Sequence, residues 1–364
     1  LEKKYVLDAL VNGWGKNMSK YIDLFSNYFR KYSGKKYVLT TQSCTSAIHL
    51  ALHALNIKKG DEIIVPDLTW VASASPITYL GAKPVFVDVD KETLCLSVES
   101  LKKKINKKTK ALIAVDLMGN MPDWDKVIKI CKKKKIKIIE DAAEALGAKY
   151  KNKYAGSFGD ISVFSFNATK LVMSGQGGCL CTNDRNLYFK AKLLSHHGMD
   201  KIKQRKFYWS KEIGYQYNWS NIQAALAFAQ IKRIKELLKK KKEIFVNYKY
   251  LLRKNKNFQI NKKINYVKQS YWLSYLLYVG KKKMNKEKIV NLFNKYKIEL
   301  RPMFYPVSSL PAFKRYVNKR KIRIENKNSY EISKKSFCLP SGNNIKYTDQ
   351  VKIVKILNKF LSAE

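Results

Sequence analysis

A single lysine, Lys170, closes the aromatic, strand-like run "DISVFSFNATK" and stands shortly before the glycine-rich "SGQGG". Glycines there permit a tight turn and close backbone approach. A lysine desolvated in such a place has a lowered pKa, the condition for a nucleophilic amine that forms a Schiff base. Solvent exposure is the ordinary fate of a lysine in this chain, and location alone separates Lys170 from the rest. Upstream, Asp141 ends the apolar run "IKIIED", at the strand edge where open α/β sheets place ligands. A carboxylate buried there needs a cationic partner; capping a following helix is its other use. Glu144 follows one helical turn later and faces either the same ligand or water. Earlier still, "TTQSCTSAIHLAL" ends a β run at Thr41 and opens a helix with Ser43, Thr45 and Ser46. Free N–H groups and the macrodipole at such a terminus favour a phosphate, and plain capping by Ser or Thr is equally open.

The three elements have one joint chemical explanation. A helix terminus for a phosphate, an acid for a protonated ring nitrogen and an amine for an aldehyde are the three handles of pyridoxal phosphate.

The elements that must position these residues alternate along the first two thirds of the chain. The runs "YVLTT", "EIIVP", "KPVFVDV", "ALIAVDL", "IKIIED" and "ISVFSF" are strand-length and apolar on both faces. Helical patterns separate several of them, at Ser43 to Leu55, Val71 to Leu80 and Trp124 to Lys134. That alternation predicts an α/β layer structure with a mostly parallel central sheet flanked by helices. Ser220 to Leu251 reads as one long helix or two in tandem. A new pattern follows, with a strand over Ser270 to Gly280, a helix capped by Asn285 and a closing helix over Asp349 to Leu361. The boundary between a large domain, residues 1–240, and a smaller C-terminal α+β domain, residues 241–364, is expected inside the helical connection.

The 364 residues carry 72 Lys and Arg against 28 Asp and Glu, a formal net charge of +44. Such a balance raises a nucleic-acid or anionic-surface reading. Lysine dominates arginine, however, in short runs such as Lys132 to Lys135 and Lys239 to Lys242, on what read as solvent faces of amphipathic helices. No zinc-ligand spacing or RNA-recognition signature accompanies the charge, so neither a metal nor a nucleic-acid partner is expected. An anionic substrate would gain from the positive field. Six cysteines lie in apolar stretches without a C-x-x-C pair, which predicts reduced thiols in a cytoplasmic protein. No apolar run approaches the ~18 residues of a membrane span, and no signal peptide is visible. The chain opens on Leu1 instead of methionine, which points to a missing N-terminal piece.

Several motifs in order give the sequence a resemblance to a known family: "SCTSAIHLAL", "DEIIVPDLTWVASASPITYLGAKPVFVDVD", "EDAAEALGA", "GSFGDISVFSFNATKLVMSGQGG", "GYQYNWSNIQAALAFAQ", "RPMFYPVSSLPAF" and "FCLPSG". The chain resembles the DegT/DnrJ/EryC1/StrS sugar aminotransferases, of fold-type I architecture, over nearly its whole length. The resemblance implies that Lys170 forms the imine with pyridoxal phosphate and that Asp141 pairs with the pyridinium nitrogen. It implies that Trp70 stacks on the ring, that Thr45, Ser46 and Ser165 bind the phosphate, and that Glu144 lies near the 3-hydroxyl. Asn218 matches a residue reaching the phosphate from the other subunit of a homodimer with shared active sites; His197 and Tyr305 match positions near the sugar. Gln176 stands where the family commonly has Glu. The implied reaction moves the amino group of L-glutamate onto a nucleotide-linked keto sugar for polysaccharide or glycan biosynthesis. The "LPSG" and "EDAAEALG" variants resemble the perosamine-synthase-like branch, which aminates C4 of 4-keto-6-deoxy sugars, with C3 amination as the alternative. Lys170 speaks against the related dehydratase branch, which has histidine there, and with Asp141 against a non-catalytic binding protein on the same scaffold.

Overall fold

A computed structural model describes residues 1–199, 208–281 and 284–363. Helices α1 (Glu2–Asn12) and α2 (Lys20–Ser33) precede strand β1 (Tyr37–Thr41) and helix α3 (Cys44–Ala54). Strands β2 (Glu62–Pro66), β3 (Lys83–Val87), β4 (Thr109–Val115) and β5 (Lys137–Asp141) follow, then the short β6 (Lys149–Tyr150) and β7 (Lys153–Tyr154), then β8 (Ile161–Ser165) and β9 (Gly178–Thr182). A central sheet takes seven of these in the order β1-β9-β8-β5-β4-β2-β3. The pairs joining β3, β2, β4, β5 and β8 are parallel. β9 alone runs against its neighbours β8 and β1. The mostly parallel sheet expected from the alternating runs is therefore present, with one reversed strand that the glycines of "SGQGG" conceal.

Both faces of the sheet are dry, because each strand is apolar on both sides. One face holds Ile64, Leu112, Phe164 and Cys179 in one apolar cluster with Phe25 and Phe29 of α2; the other holds Ile63, Ile113, Ile139 and Leu180 in a second cluster with Ile48 and Leu52 of α3. α2 ends at Gly34, whose φ of 70° gives the left-handed turn into β1. The Val71 to Leu80 segment is a 3₁₀ turn, Val71–Ser73, followed by a helix of only five residues, Ser75–Tyr79. Pro76 sits at the first turn of that helix, where its missing N–H costs nothing.

Ser220 to Leu251 resolves into two helices in tandem, Asn221–Lys232 and Ile234–Leu251, divided at Arg233. Ser220 caps the first by accepting from Gln223 N at 3.2 Å. Lys241, inside the lysine run read as a solvent face, is buried: its Nζ donates to the Ser341 carbonyl at 2.5 Å, and burial pushes its pKa down to about 8. Lys132 to Lys135 are exposed as expected.

Beyond this pair, β10 (Phe258–Ile260), β11 (Val267–Lys268), β12 (Ser274–Tyr278), β13 (Arg301–Pro302) and β14 (Ser336–Leu339) complete the strands. β10-β12-β14-β13 form an antiparallel sheet, and β11 joins β6 and β7. Helices Lys286–Lys295 and Tyr347–Ala363 pack on the C-terminal sheet, the former capped by Asn285, which accepts from Lys288 N. The helix Ile234–Leu251 contributes Ile244 and Tyr248 to the same apolar cluster. All six cysteines are buried and free. Among the described residues no helix is long and apolar enough to cross a membrane, and no group of three or more His, Cys, Asp or Glu could hold a metal ion.

Candidate active site

The carboxyl ends of β4, β5 and β8 open on a cleft of about 380 Å³ lined by Thr45, Trp70, Asp141, Glu144, Ser165 and Lys170. These six come from four separate segments of the chain, and the sheet topology brings them together. Gln176 lies on the rim.

Asp141 is the last residue of β5 and is buried. Its Oδ2 accepts from Ser73 Oγ at 2.7 Å and its Oδ1 from Ala143 N at 3.1 Å. No helix follows, so the carboxylate closes a local turn and caps nothing. Burial raises its pKa, while Ser73 and the nearby Lys170 ammonium act the other way. A buried carboxyl in that balance gains from a cation placed against it in the cleft.

Lys170 sits in a compact turn after β8, held by Lys170 N to Asn167 O and Ala168 N to Gly175 O, both at 2.9 Å. Its side chain is largely buried, with Nζ 4.0 Å from the centre of the Trp272 ring and 3.4 Å from Glu144 Oε1. Trp272 Nε1 donates to Thr169 O at 2.9 Å, which ties the indole to the same turn. Glu144 is fixed from its other side by Met118 N, 3.0 Å from Oε2. That N–H points correctly because Met118 takes the left-handed conformation, φ 56°, in the turn after β4.

The first turn of α3 forms the opposite wall. Ser43 caps it, accepting from Ser46 N at 3.0 Å, and its Oγ lies 2.9 Å from Ser46 Oγ. Both uses read from the motif are thus compatible: Ser43 caps the helix and Thr45 faces the cleft, while Ser46 is not among its lining residues. Gly178 of β9 packs directly behind this turn; a Cβ there would lie 2.5 Å from Cys44 N. Trp70 is exposed at the mouth, its ring 5.5 Å from that of Phe304.

Three other sequence candidates lie outside this cleft. Asn218 Nδ2 meets His196 Nδ1 at 2.7 Å on the "GYQYN" segment. His197, with φ 54°, borders a separate open pocket beside Glu212 and Gly214. Tyr305 is 65% exposed, with Lys286 Nζ 5.5 Å from its ring centre. Sequence reasoning missed Ser73, Trp272 and Arg301. Ser73 was hidden inside a segment read as a continuous helix. Trp272 and Arg301 come from the C-terminal region, and no spacing links them to Lys170.

The donor set fits pyridoxal phosphate: an amine held in a largely buried pocket, a buried carboxyl short of positive charge, and a helix N-terminus at the far wall.

The DegT/DnrJ/EryC1/StrS aminotransferase family model matches residues 1–358. The chain belongs to this family. This aminotransferase is 37% identical over 361 residues to a GDP-perosamine synthase of Escherichia coli O157:H7, covering 99% of this chain and 96% of that one. It is 35% identical to a GDP-perosamine synthase of Vibrio cholerae, with 96% and 93% covered. Among solved structures it resembles the putative sugar aminotransferase Spr1654 of Streptococcus pneumoniae. The PMP form of that protein is 26% identical, with a TM-score of 0.89 and 98% and 96% covered.

Proposed function

We propose that this aminotransferase uses pyridoxal phosphate to move the amino group of L-glutamate onto C4 of a nucleotide-linked 4-keto-6-deoxy sugar, for polysaccharide or glycan biosynthesis. The observation that carries this reading is the convergence of Lys170, Asp141 and the α3 N-terminus on one cleft. Full-length similarity to two GDP-perosamine synthases supports the sugar and the position aminated.

When bound, the cofactor supplies an aldehyde that condenses with amines and a ring that withdraws electrons from the carbon losing its proton. The rest of the chemistry belongs to side chains. Thr45, Ser165 and the first N–H groups of α3 hold the phosphate, where the helix dipole favours it. Asp141, held by Ser73 and Ala143, keeps a proton on the ring nitrogen; the resulting cation offsets the burial of the carboxylate. Glu144 steers Lys170 Nζ and would meet the ring hydroxyl. Trp70 covers the ring at the mouth. Lys170 would take the proton from the donor's α-carbon and give it up again, acting as base and then acid. The second half-reaction runs these transfers in reverse on the sugar's carbonyl carbon. Trp272 and Glu144 confine Nζ throughout, so the proton is carried over a short fixed path.

Two copies of the chain share active sites in this reading. Asn218 lies outside the cleft of its own chain, as a residue serving a neighbour's phosphate would. Leu7, Leu10, Val11, Trp14 and Met18 expose an apolar face at the N-terminal helices that a homodimer would cover. His197 and Tyr305 then border the sugar. A large domain, residues 1–240, and a small one, residues 241–364, frame the cleft, and the protein works in the cytoplasm without nucleic acid or membrane. The test is a panel of GDP-, UDP- and dTDP-linked 4-keto and 3-keto sugars with L-glutamate, the products read by mass spectrometry and NMR. A 4-amino sugar supports the reading; a 3-amino sugar moves the site of amination; no amino sugar from any member overturns it.

A further inference from the structure

A second groove lies at the other end of the strands. It runs along β3, the edge of the central sheet, beside the first residues of β2 and β3, whereas the cleft opens at the strands' carboxyl ends. Its volume of about 420 Å³ falls within the ~300–1,000 Å³ of small-molecule sites. Four lysines line it: Lys83 on β3, Lys103 and Lys104 at the end of the helix Val98–Lys104, and Lys321 on the helix Lys319–Glu325. Among the described residues two carboxylates answer them. Glu62 takes Lys83 Nζ at 3.1 Å and Asn106 Nδ2 at 2.7 Å, and Glu325 is shared by Lys104 at 2.7 Å and Lys321 at 3.9 Å. Lys103 makes no ion pair among the described residues. Two positive charges are therefore left over in the groove.

One wall is aromatic. Phe86 of β3 packs edge-on against Phe313, 5.6 Å between ring centres, and Phe313 meets the half-buried Tyr316 at 6.3 Å. Arg315 packs on Tyr316, its guanidinium carbon 4.8 Å from the ring centre, and donates to the hydroxyl at 2.6 Å. The ring is thus held in place before any ligand arrives, so little freedom is lost on binding. Asn318 uses its Oδ1 on Lys321 N at 3.1 Å, which leaves its Nδ2 to donate to a ligand.

We propose that this groove binds a nucleoside diphosphate, its phosphates on Lys103 and Lys321 and its base against Tyr316. Lysine holds phosphate as a point charge, which suits a flexible diphosphate, and an aromatic ring accepts the face of any base. A bare phosphate would use the lysines and leave the aromatic wall idle. An acidic peptide added as a strand along β3 fits less well. Lys83 N bonds to Asp61 O and Val87 O to Asp67 N, both at 2.8 Å, so alternation turns residues 84 and 86 outward, and Pro84 has no N–H to offer a new strand. The groove is separate from the cofactor cleft, and the assignment uses none of the residues given a part in amino transfer.

The experiment reads binding and its location without turnover. Wild type, the double variant Lys103→Gln/Lys321→Gln and Tyr316→Leu, each loaded with pyridoxal phosphate, are titrated calorimetrically with GDP, UDP, guanosine and inorganic phosphate. Hydrogen exchange then maps what GDP protects. In wild type GDP should protect the peptides covering residues 83–87 and 313–322. Removing two phosphate-binding cations should weaken this site by about tenfold or more, and losing the stacking ring by about fivefold or more. Guanosine and inorganic phosphate should each bind about tenfold more weakly than GDP. Both variants lie outside the cleft and should keep the wild-type KM for the keto sugar, which separates the groove from any nucleotide held beside Lys170. Protection by GDP confined to the cleft would overturn the assignment. So would unchanged affinity in both variants, or inorganic phosphate protecting the groove as well as GDP does. Failure of amino transfer with the groove still protected would count against the function proposed above and leave this site standing.

Discussion

Asp67 follows β2 directly and clips the C-terminal segment onto the central sheet. The carboxylate is fully buried and accepts three hydrogen bonds: Ser308 N at 2.8 Å, Ser308 Oγ at 2.7 Å and Asn326 Nδ2 at 2.9 Å. Its carbonyl accepts from Val307 N at 2.7 Å, and Leu68 bridges to Pro306, so the segment bearing Phe304 is held beside Trp70 at the mouth of the cleft. In Asp67→Ala, Ser308 Oγ keeps the Tyr330 hydroxyl at 3.0 Å, but the Ser308 amide and Asn326 Nδ2 lose their acceptors. Two buried donors left unpaired cost about 1–3 kcal/mol each. Removal of a carboxyl whose pKa is raised by burial returns part of this, leaving a net loss of about 2–3 kcal/mol. Urea unfolding followed by tryptophan fluorescence reads the loss, and hydrogen exchange at the Ser308 amide locates it. The pH dependence has a definite sign. Because the folded pKa lies above the unfolded one, the advantage of Asp67 over Asp67→Asn is complete below the unfolded carboxyl pKa and shrinks as pH rises through the folded value. A stable Asp67→Ala, within about 0.5 kcal/mol of wild type and with Ser308 still protected, would refute the clip.

His49 on α3 is buried against Tyr217 and Tyr79, near Tyr215 and His53, with Nε2 unpaired among the described residues. Burial pushes its pKa down to about 4, so its contribution is present above the unfolded value near 6.5 and is lost as pH falls toward 4. Wild type should lose up to about 3 kcal/mol more than His49→Gln across that window in denaturant titrations, and parallel curves would contradict the assignment. Gly178→Ala should destabilise by about 1–3 kcal/mol or more, because the new Cβ meets backbone at Cys44 and Ser43 that has no room to yield. The same variant should lose pyridoxal phosphate on gel filtration, since the first turn of α3 must move; full retention at wild-type stability would count against that wall as the phosphate site.

Much of the candidate site was legible because it is written in local signals. Lys170, Asp141 and the start of α3 each sit where an apolar strand meets a turn or helix, and strand ends of one sheet share an edge. The central sheet followed for the same reason, since runs apolar on both faces have few other places to go. β9 was harder to read: its reversed direction depends on pairing of "GCLCT" with β8 just before it and with β1 far upstream. Lys241 shows the limit of reading charge as exposure. Its stem packs inside, and a single carbonyl, from Ser341, receives the ammonium. Trp272 and Arg301 carry no local mark at all, because what matters is their distance from Lys170 in space. Ser73 looked like a helix residue, and it became an Asp141 partner because the segment breaks into a 3₁₀ turn.

The covalent role proposed for Lys170 admits a direct measurement. Protein incubated with pyridoxal phosphate should turn yellow, and borohydride reduction followed by proteolysis and mass spectrometry should find the cofactor's mass on the peptide containing Lys170, with none bound in Lys170→Ala. A cofactor mass fixed on some other lysine, or a protein that stays colourless through the incubation, would contradict the site.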